Sequence, residues 1–177
     1  MVVVHAVLDY ADDHAERAEP YREAHLARLF ELRGRGRVVG VGTRLEEPKA
    51  DIFYQGATPA EVERLITADP YYLHRVAVGY TLRPFTQFVE PWRPAEVRVD
   101  GSRVATLAEA PVADPDLAAL VLVELRGRGQ MAFGGFLEAR ALMVLTTPEP
   151  SVALDWLEET GLWRREEPTT WAWVHLL

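Results

Sequence analysis

The chain has 177 residues, of which 49% are hydrophobic and 26% charged, with a formal net charge of −8. That length supports one sizeable core or two small ones. The acidic balance and the lack of a basic block argue against a nucleic-acid partner and against docking on an anionic membrane. There is no Cys, so disulfides, thiolate nucleophiles and Cys-type zinc sites are excluded. The N-terminus, MVVVHAVLDYADD, lacks a basic segment and does not read as a signal peptide. No apolar run approaches bilayer length. The expectation is a soluble cytoplasmic protein. Asn is absent, Gln is rare and Arg outnumbers Lys, a composition that fits a heat-adapted source.

Val2 to Leu8 is a short β-branched run and reads as a buried strand. Asp12 or Asp13 can cap a helix that runs to the RGRG segment at 33–36, kinked near Glu19–Tyr21 because Pro20 is not tolerated in a helix interior. Leu26, Leu29 and Phe30 form its expected apolar stripe. Arg37–Val41 and Ala50–Gly56 read as strands, with Ile52 and Tyr54 on one face and Phe53 on the other. Thr58-Pro59-Ala60-Glu61 is a helix start, and Val62, Leu65 and Ile66 give that helix its buried side. It stops at Ala68-Asp69-Pro70. Val76, Val78, Tyr80 and Leu82 alternate in a strand expected to end near Pro84. The order is β-α-β-β-α-β, that of a ferredoxin-like α+β unit with one sheet face left to be covered.

Glu31-Leu32-Arg33-Gly34-Arg35-Gly36 recurs as Glu124-Leu125-Arg126-Gly127-Arg128-Gly129. Around the second copy the pattern repeats. Val104–Leu107 reads as a strand and Leu117–Leu125 as a helix, although Ala118–Val123 is apolar enough to be a strand. Gln130–Phe136, Arg140–Thr146 and Trp171–Leu176 read as strands and Val152–Glu159 as a helix. Val97–Val99 and Arg103–Ala105 suggest an extra hairpin around Asp100-Gly101. Glu90-Pro91-Trp92-Arg93-Pro94 is the expected boundary, giving domains 1–92 and 93–177. The expected architecture is two ferredoxin-like units packed sheet to sheet as an intrachain pseudo-dimeric α+β barrel. Trp156, Trp163, Trp171 and Trp173 would fill the inter-sheet core. The alternative is pairing of first halves from two chains.

The first half resembles the YCII-related family. The resemblance rests on Arg22-Glu23-Ala24-His25-Leu26-Ala27-Arg28-Leu29, Gly36-Arg37-Val38, Gly42, Ala68-Asp69-Pro70-Tyr71 and Arg83-Pro84-Phe85, over about the first 90 residues. It departs at Gly42-Thr43, where many members have Gly-Pro. The resemblance implies a dimeric α+β barrel, in a family where a few members act on small aromatic compounds. It also implies a His–Asp active pair, which falls on His25 and Asp69. Aligning the repeats places Ala118 opposite His25, so the second half keeps the fold and lacks the pair.

Beside that resemblance stand the residues' own chemistry and their plainer uses. His25 borders the apolar stripe, and a carboxylate partner would fix its tautomer and free the other nitrogen for acid–base work. A buried His can equally satisfy a core hydrogen bond, and Asp before Pro is a common capping device. Arg22 can bind a substrate carboxylate or phenolate, or pair with Asp69 or Glu23. Tyr71, Tyr72 and Tyr54 can line an aromatic pocket, and Asp9 can face the barrel mouth or cap the chain. His5, His14, His74 and His175 have no ligand spacing; a set of His25, His74 and Asp69 is the one conceivable metal group, and none is predicted. No phosphate loop, dinucleotide fingerprint or nucleophile elbow is present. Two functions follow: a cofactor-independent small-molecule enzyme using His25 and Asp69 on a small aromatic or carbonyl compound, with Arg22, Tyr71 and Tyr54 binding substrate; or a non-catalytic ligand-binding or assembly protein, with self-association open in either case.

Overall fold

The computed structural model describes residues 1–89 and 96–176. The expected boundary Glu90–Pro94 lies outside the described residues. The chain forms two compact α+β units, Met1–Pro84 and Phe85–Leu176. Among the described residues no helix is long and apolar enough to cross a membrane.

The first unit runs β1 (Val2–Tyr10), α1 (His14–Ala18), α2 (Arg22–Gly34), β2 (Val38–Arg44), β3 (Lys49–Gly56), α3 (Pro59–Thr67), α4 (Pro70–Leu73) and the start of β4 (Ala77–Val89). A short 3₁₀ turn, Glu19–Tyr21, absorbs Pro20 between α1 and α2. β1 pairs antiparallel with β3, and β3 with β2. The β4 segment follows on the other side of β1, where Ala11 N–H donates to the Val76 carbonyl at 2.9 Å. Thr58 caps α3, accepting from Glu61 N–H, and Glu61 in turn accepts from Ala57 N–H.

Strand alternation splits this sheet's side chains between two faces. Tyr10 and Tyr54 lie on the face that carries the helices: Tyr10 meets Tyr71 edge-on, and the Tyr54 phenol feels the charges of Asp69 and Arg28. His5, Asp51 and Phe53 alternate with those positions and take the opposite face.

The second unit comprises the end of β4, β5 (Val104–Pro111), α5 (Pro115–Gly127), β6 (Met131–Leu137), β7 (Arg140–Leu145), α6 (Pro150–Glu159) and β8 (Thr169–His175). Its strand order is β8-β5-β7-β6-β4. Val121, Leu122, Leu125, Ala153 and Leu157 of its helices pack on Ala108, Ala110, Met131, Met143 and Leu145 of its strands.

The duplicated hexapeptide does the same work twice. It ends α2 and α5, with Gly36 at φ +67° and Gly129 at φ +72°. In each copy the glycine N–H donates three residues back, to Arg33 and to Arg126. The next residue donates to Leu32 or Leu125. This is the hydrogen-bonded stop in which a left-handed residue satisfies the last carbonyls of a helix. The following strands also share an irregularity, a register shift between Val38 and Gly40 and between Met131 and Phe133.

Four expectations are corrected, and the open reading of Ala118–Val123 is settled. The buried stripe of α2 is His25, Leu29 and Leu32, and Phe30 is exposed. Counting only apolar residues had turned the face away from the histidine. β4 does not end near Pro84 but continues to Val89, and its distal part pairs with β6. Proline is tolerated there because Pro84 is not among the residues bonded to β6. Ala118–Val123 is helix, started by Asp114, which accepts from Asp116 and Leu117 N–H. Val97–Val99 forms no strand: Asp100-Gly101 makes a turn closed onto Ser102 N–H, but no hairpin. The tryptophans do not share one core. Trp163 sits in the helix-side core, donating to the Pro111 carbonyl, with Trp156 against that cluster, whereas Trp173 stacks on His175 on the other face.

Glycine substitutions test this packing. A Cβ on Gly135 would lie 2.2 Å from the Thr86 carbonyl oxygen, while one on Gly127 meets nothing within 4 Å. Gly135→Ala should therefore lower urea-unfolding stability strongly. Gly127→Ala, in a helix, should leave it unchanged or raise it by up to about 1 kcal/mol.

Candidate functional site: a buried histidine–aspartate pair

His25 comes from the second turn of α2, and Asp69 from the residue before α4. Pro70 forces extended backbone on Asp69, at φ −76° and ψ 138°, which is the geometry of a helix N-cap. The Asp69 carboxylate then faces two donors. Its Oδ1 accepts from Tyr71 N–H at 2.9 Å and lies 2.7 Å from His25 Nδ1. The residues are 5% and 2% exposed. Because the carboxylate can only accept, Nδ1 carries the proton. Nε2 of His25 has no hydrogen-bond partner among the described residues. The capping use of Asp69 and its pairing with His25 are thus both real, carried by a single oxygen.

Three aromatic rings and two arginines complete the surroundings. Tyr71 stacks on His25 with centroids 3.8 Å apart and planes 8° from parallel. Tyr10 meets Tyr71 edge-on at 6.1 Å. Burial raises the Tyr71 phenol, and Arg22, whose charge and hydrogen bond act on that hydroxyl, pulls it back part of the way. Burial and the neighbouring negative charge of Asp69 push Tyr54 well above the usual phenol range, and Tyr10 likewise, so both stay protonated. Arg28 Nε stands 3.9 Å from Asp69 Oδ2. Both atoms are sealed from solvent without a hydrogen bond among the described residues.

Of the residues singled out in sequence, His25, Asp69, Tyr71 and Tyr54 are brought together. Arg22 joins through Tyr71 while pairing with Glu19 at 3.2 Å, and not with Asp69 or Glu23. Tyr72 lies apart, edge-on to Tyr80, and Asp9 pairs with Lys49 at 3.5 Å. His74 stacks on Tyr21, and no group of three or more metal-ligating side chains is found among the described residues. Sequence reasoning missed Tyr10 and Arg28. Arg28 was legible, one turn beyond His25 on the same helix face.

It also missed a second buried cluster. His5 Nε2 lies 2.8 Å from Asp51 Oδ1, and Arg44 donates from Nε to Asp51 Oδ2 at 2.9 Å and from Nη2 to Oδ1 at 3.0 Å. Burial pushes the Asp51 carboxyl up, but the bonds from His5 and Arg44 outweigh it and hold the group below the usual carboxylate range. No local motif marks these residues; only strand register joins them.

No family model matches the chain, and no curated protein matches it. Its fold is shared by solved structures. Two are crystal structures of putative monooxygenases. One, from Lactobacillus acidophilus NCFM, is 11% identical, with a TM-score of 0.59 over 100% of this chain and 95% of that one. The other, from Fusobacterium nucleatum subsp. nucleatum, is 9% identical, with a TM-score of 0.55 over 99% of this chain and 93% of that one. The likeness defines a mixed α+β fold.

Two outcomes follow from the geometry. Asp69→Ala removes a cap and leaves the His25 N–H buried without an acceptor, so it should cost roughly 2–4 kcal/mol in denaturant unfolding, and Asp69→Asn clearly less. Asp51 has a depressed pKa when folded, so its contribution is present above the ordinary carboxylate value and is lost as pH falls through the folded value. Arg44→Ala should therefore be less stable than the parent at pH 7, and the gap should narrow as pH drops through that window. A gap that stays constant in denaturation across pH would assign Arg44 to packing alone.

Proposed function

We propose that the first unit is a cofactor-independent acid–base site for a small aromatic or carbonyl compound, with His25 as the proton carrier and Asp69 as its orienting partner. One observation carries the reading: Asp69 holds the His25 proton on Nδ1 and leaves Nε2 without a hydrogen-bond partner among the described residues. In that state Nε2 can take a proton from a phenol or from a carbon next to a carbonyl. The resulting imidazolium is stabilised by the carboxylate behind it. The proton returns from Nε2 to substrate, so the step needs no oxidant. Tyr71 and Tyr54 supply an aromatic wall, and Arg22, held at the Tyr71 hydroxyl, is placed for an anionic substrate group.

The resemblance to YCII-related proteins supports the same pair, and a fold shared with proteins named as monooxygenases supports a small-molecule enzyme. The architecture belongs to this proposal too: two ferredoxin-like repeats of one duplicated unit. Its support is the common element order, the repeated helix stop and the shared register shift. A second reading, a non-catalytic ligand-binding protein, is favoured by the capping duty of Asp69, which gives the pair a use without chemistry.

Deuterium incorporation from D2O into a panel of small ketones and phenols, followed by proton NMR, tests the enzyme reading. His25→Ala should slow exchange of an accepted compound on the order of 10²–10⁴-fold at a temperature where circular dichroism shows the variant folded. Asp69→Asn should slow it less, the ring acting from a poorer tautomer. Undiminished exchange in folded His25→Ala would favour the non-catalytic reading.

A further inference from the structure

The second buried pair, His5 and Asp51, takes no part in the chemistry proposed for His25. It lies on the sheet face away from the helices, on β1 and β3. Arg44 grips both oxygens of Asp51 and also donates to Glu47 at 2.9 Å. Asp51 is thus an ionised acceptor, and it fixes the His5 proton on Nε2. In the neutral ring Nδ1 is then a lone pair. That atom is sealed from solvent and has no hydrogen-bond partner among the described residues. Phe53 stacks against the imidazole at 4.8 Å and 19°. An unpaired buried acceptor costs about 1–3 kcal/mol.

The second unit shows whether such a fold needs these residues. Val38 pairs with Tyr54 as Met131 pairs with Leu145, and the same register shift follows each pair. Stepping along the ladders, Gly42 opposite Asp51 corresponds to Gly135 opposite Leu142, and Arg44, two residues further, to Leu137. Val4 opposite Tyr54 corresponds to Thr106 opposite Leu145, so His5 corresponds to Leu107. The equivalents of His5, Asp51 and Arg44 are therefore Leu107, Leu142 and Leu137, all buried. The same ladder geometry is filled by three leucines, and a buried ion cluster is commonly no more stabilising than apolar residues of similar volume. Folding alone does not account for the polar set or for its bare nitrogen.

We infer that His5, Asp51 and Arg44 form a second ligand site, in which His5 Nδ1 accepts the proton of a small acidic hydroxyl compound, a phenol or an enol. Asp51 fixes the tautomer, Arg44 keeps Asp51 ionised, and Phe53 backs the ring. The inference stands apart from the His25 reading, since the two clusters share no residue.

The test uses the full chain with ¹⁵N-labelled histidine and 4-nitrophenol as probe. On addition of 4-nitrophenol the His5 Nδ1 resonance should move from the position of a bare acceptor toward that of a hydrogen-bonded one, and should do so equally in His25→Ala. A His5 Nδ1 signal that stays put up to the solubility limit of the probe, as it would if a buried water held the nitrogen, overturns the proposal. A second arm installs the residues of the other unit, His5→Leu, Arg44→Leu and Asp51→Leu together. This variant should fold with a melting temperature no lower than the parent's, and in a His25→Ala background, where the first site is removed, it should bind 4-nitrophenol at least about tenfold more weakly than His25→Ala alone. Unchanged affinity, or failure to fold, would show the cluster to be structural and sink the idea.

Discussion

One carboxylate oxygen joins the helical layer of the first unit to its aromatic centre. Asp69 Oδ1 accepts from the backbone of α4 and from the ring of His25 on α2, two segments 44 residues apart in sequence. Neither donor is free to choose another partner, because both are buried and water cannot substitute. The position of Asp69 follows from Pro70, which denies the preceding residue helical backbone and turns its side chain into a cap. A local backbone rule therefore sets the geometry of a long-range polar pair, and that pair sets which nitrogen of His25 is left over.

Much of this was legible in the sequence. Thr58-Pro59 and Asp69-Pro70 announced helix starts through known capping chemistry, and the repeated RGRG segment announced two helix stops. His25 and Asp69 were singled out by resemblance and by their placement on successive helices. What failed did so for a common reason. The stripe Leu26, Leu29, Phe30 was drawn from apolar residues alone, yet a histidine satisfied by a carboxylate is as buried as a leucine. Pro84 reads as a stop in the sequence, yet proline ends a strand only where its missing N–H is needed. Trp163 and Trp173 look alike in sequence and lie on opposite faces of one sheet.

The His5–Asp51–Arg44 cluster was illegible for a deeper reason. Its members come from three strands, and their meeting depends on a register that no residue type encodes. Placed on a common ladder, the two units expose the contrast: Leu107, Leu142 and Leu137 on one side, a polar triad on the other. Likewise Ala118 stands at the position of His25, and Thr160, which accepts from Leu162 N–H, at that of Asp69. The second unit has the same backbone devices and, among its described residues, neither polar cluster. Polar chemistry is concentrated in the first, which is where a ligand would be sought.

The central claim, that His25 acts through a proton on its free nitrogen, is tested most directly by chemical rescue. His25→Ala leaves a ring-sized gap beside Asp69, which free imidazole can occupy. In the deuterium-exchange assay the account predicts that added imidazole restores exchange in proportion to its neutral form and leaves the parent unaffected. Exchange in His25→Ala that is complete without imidazole, or lost and indifferent to it, would contradict the claim and leave His25 a structural residue.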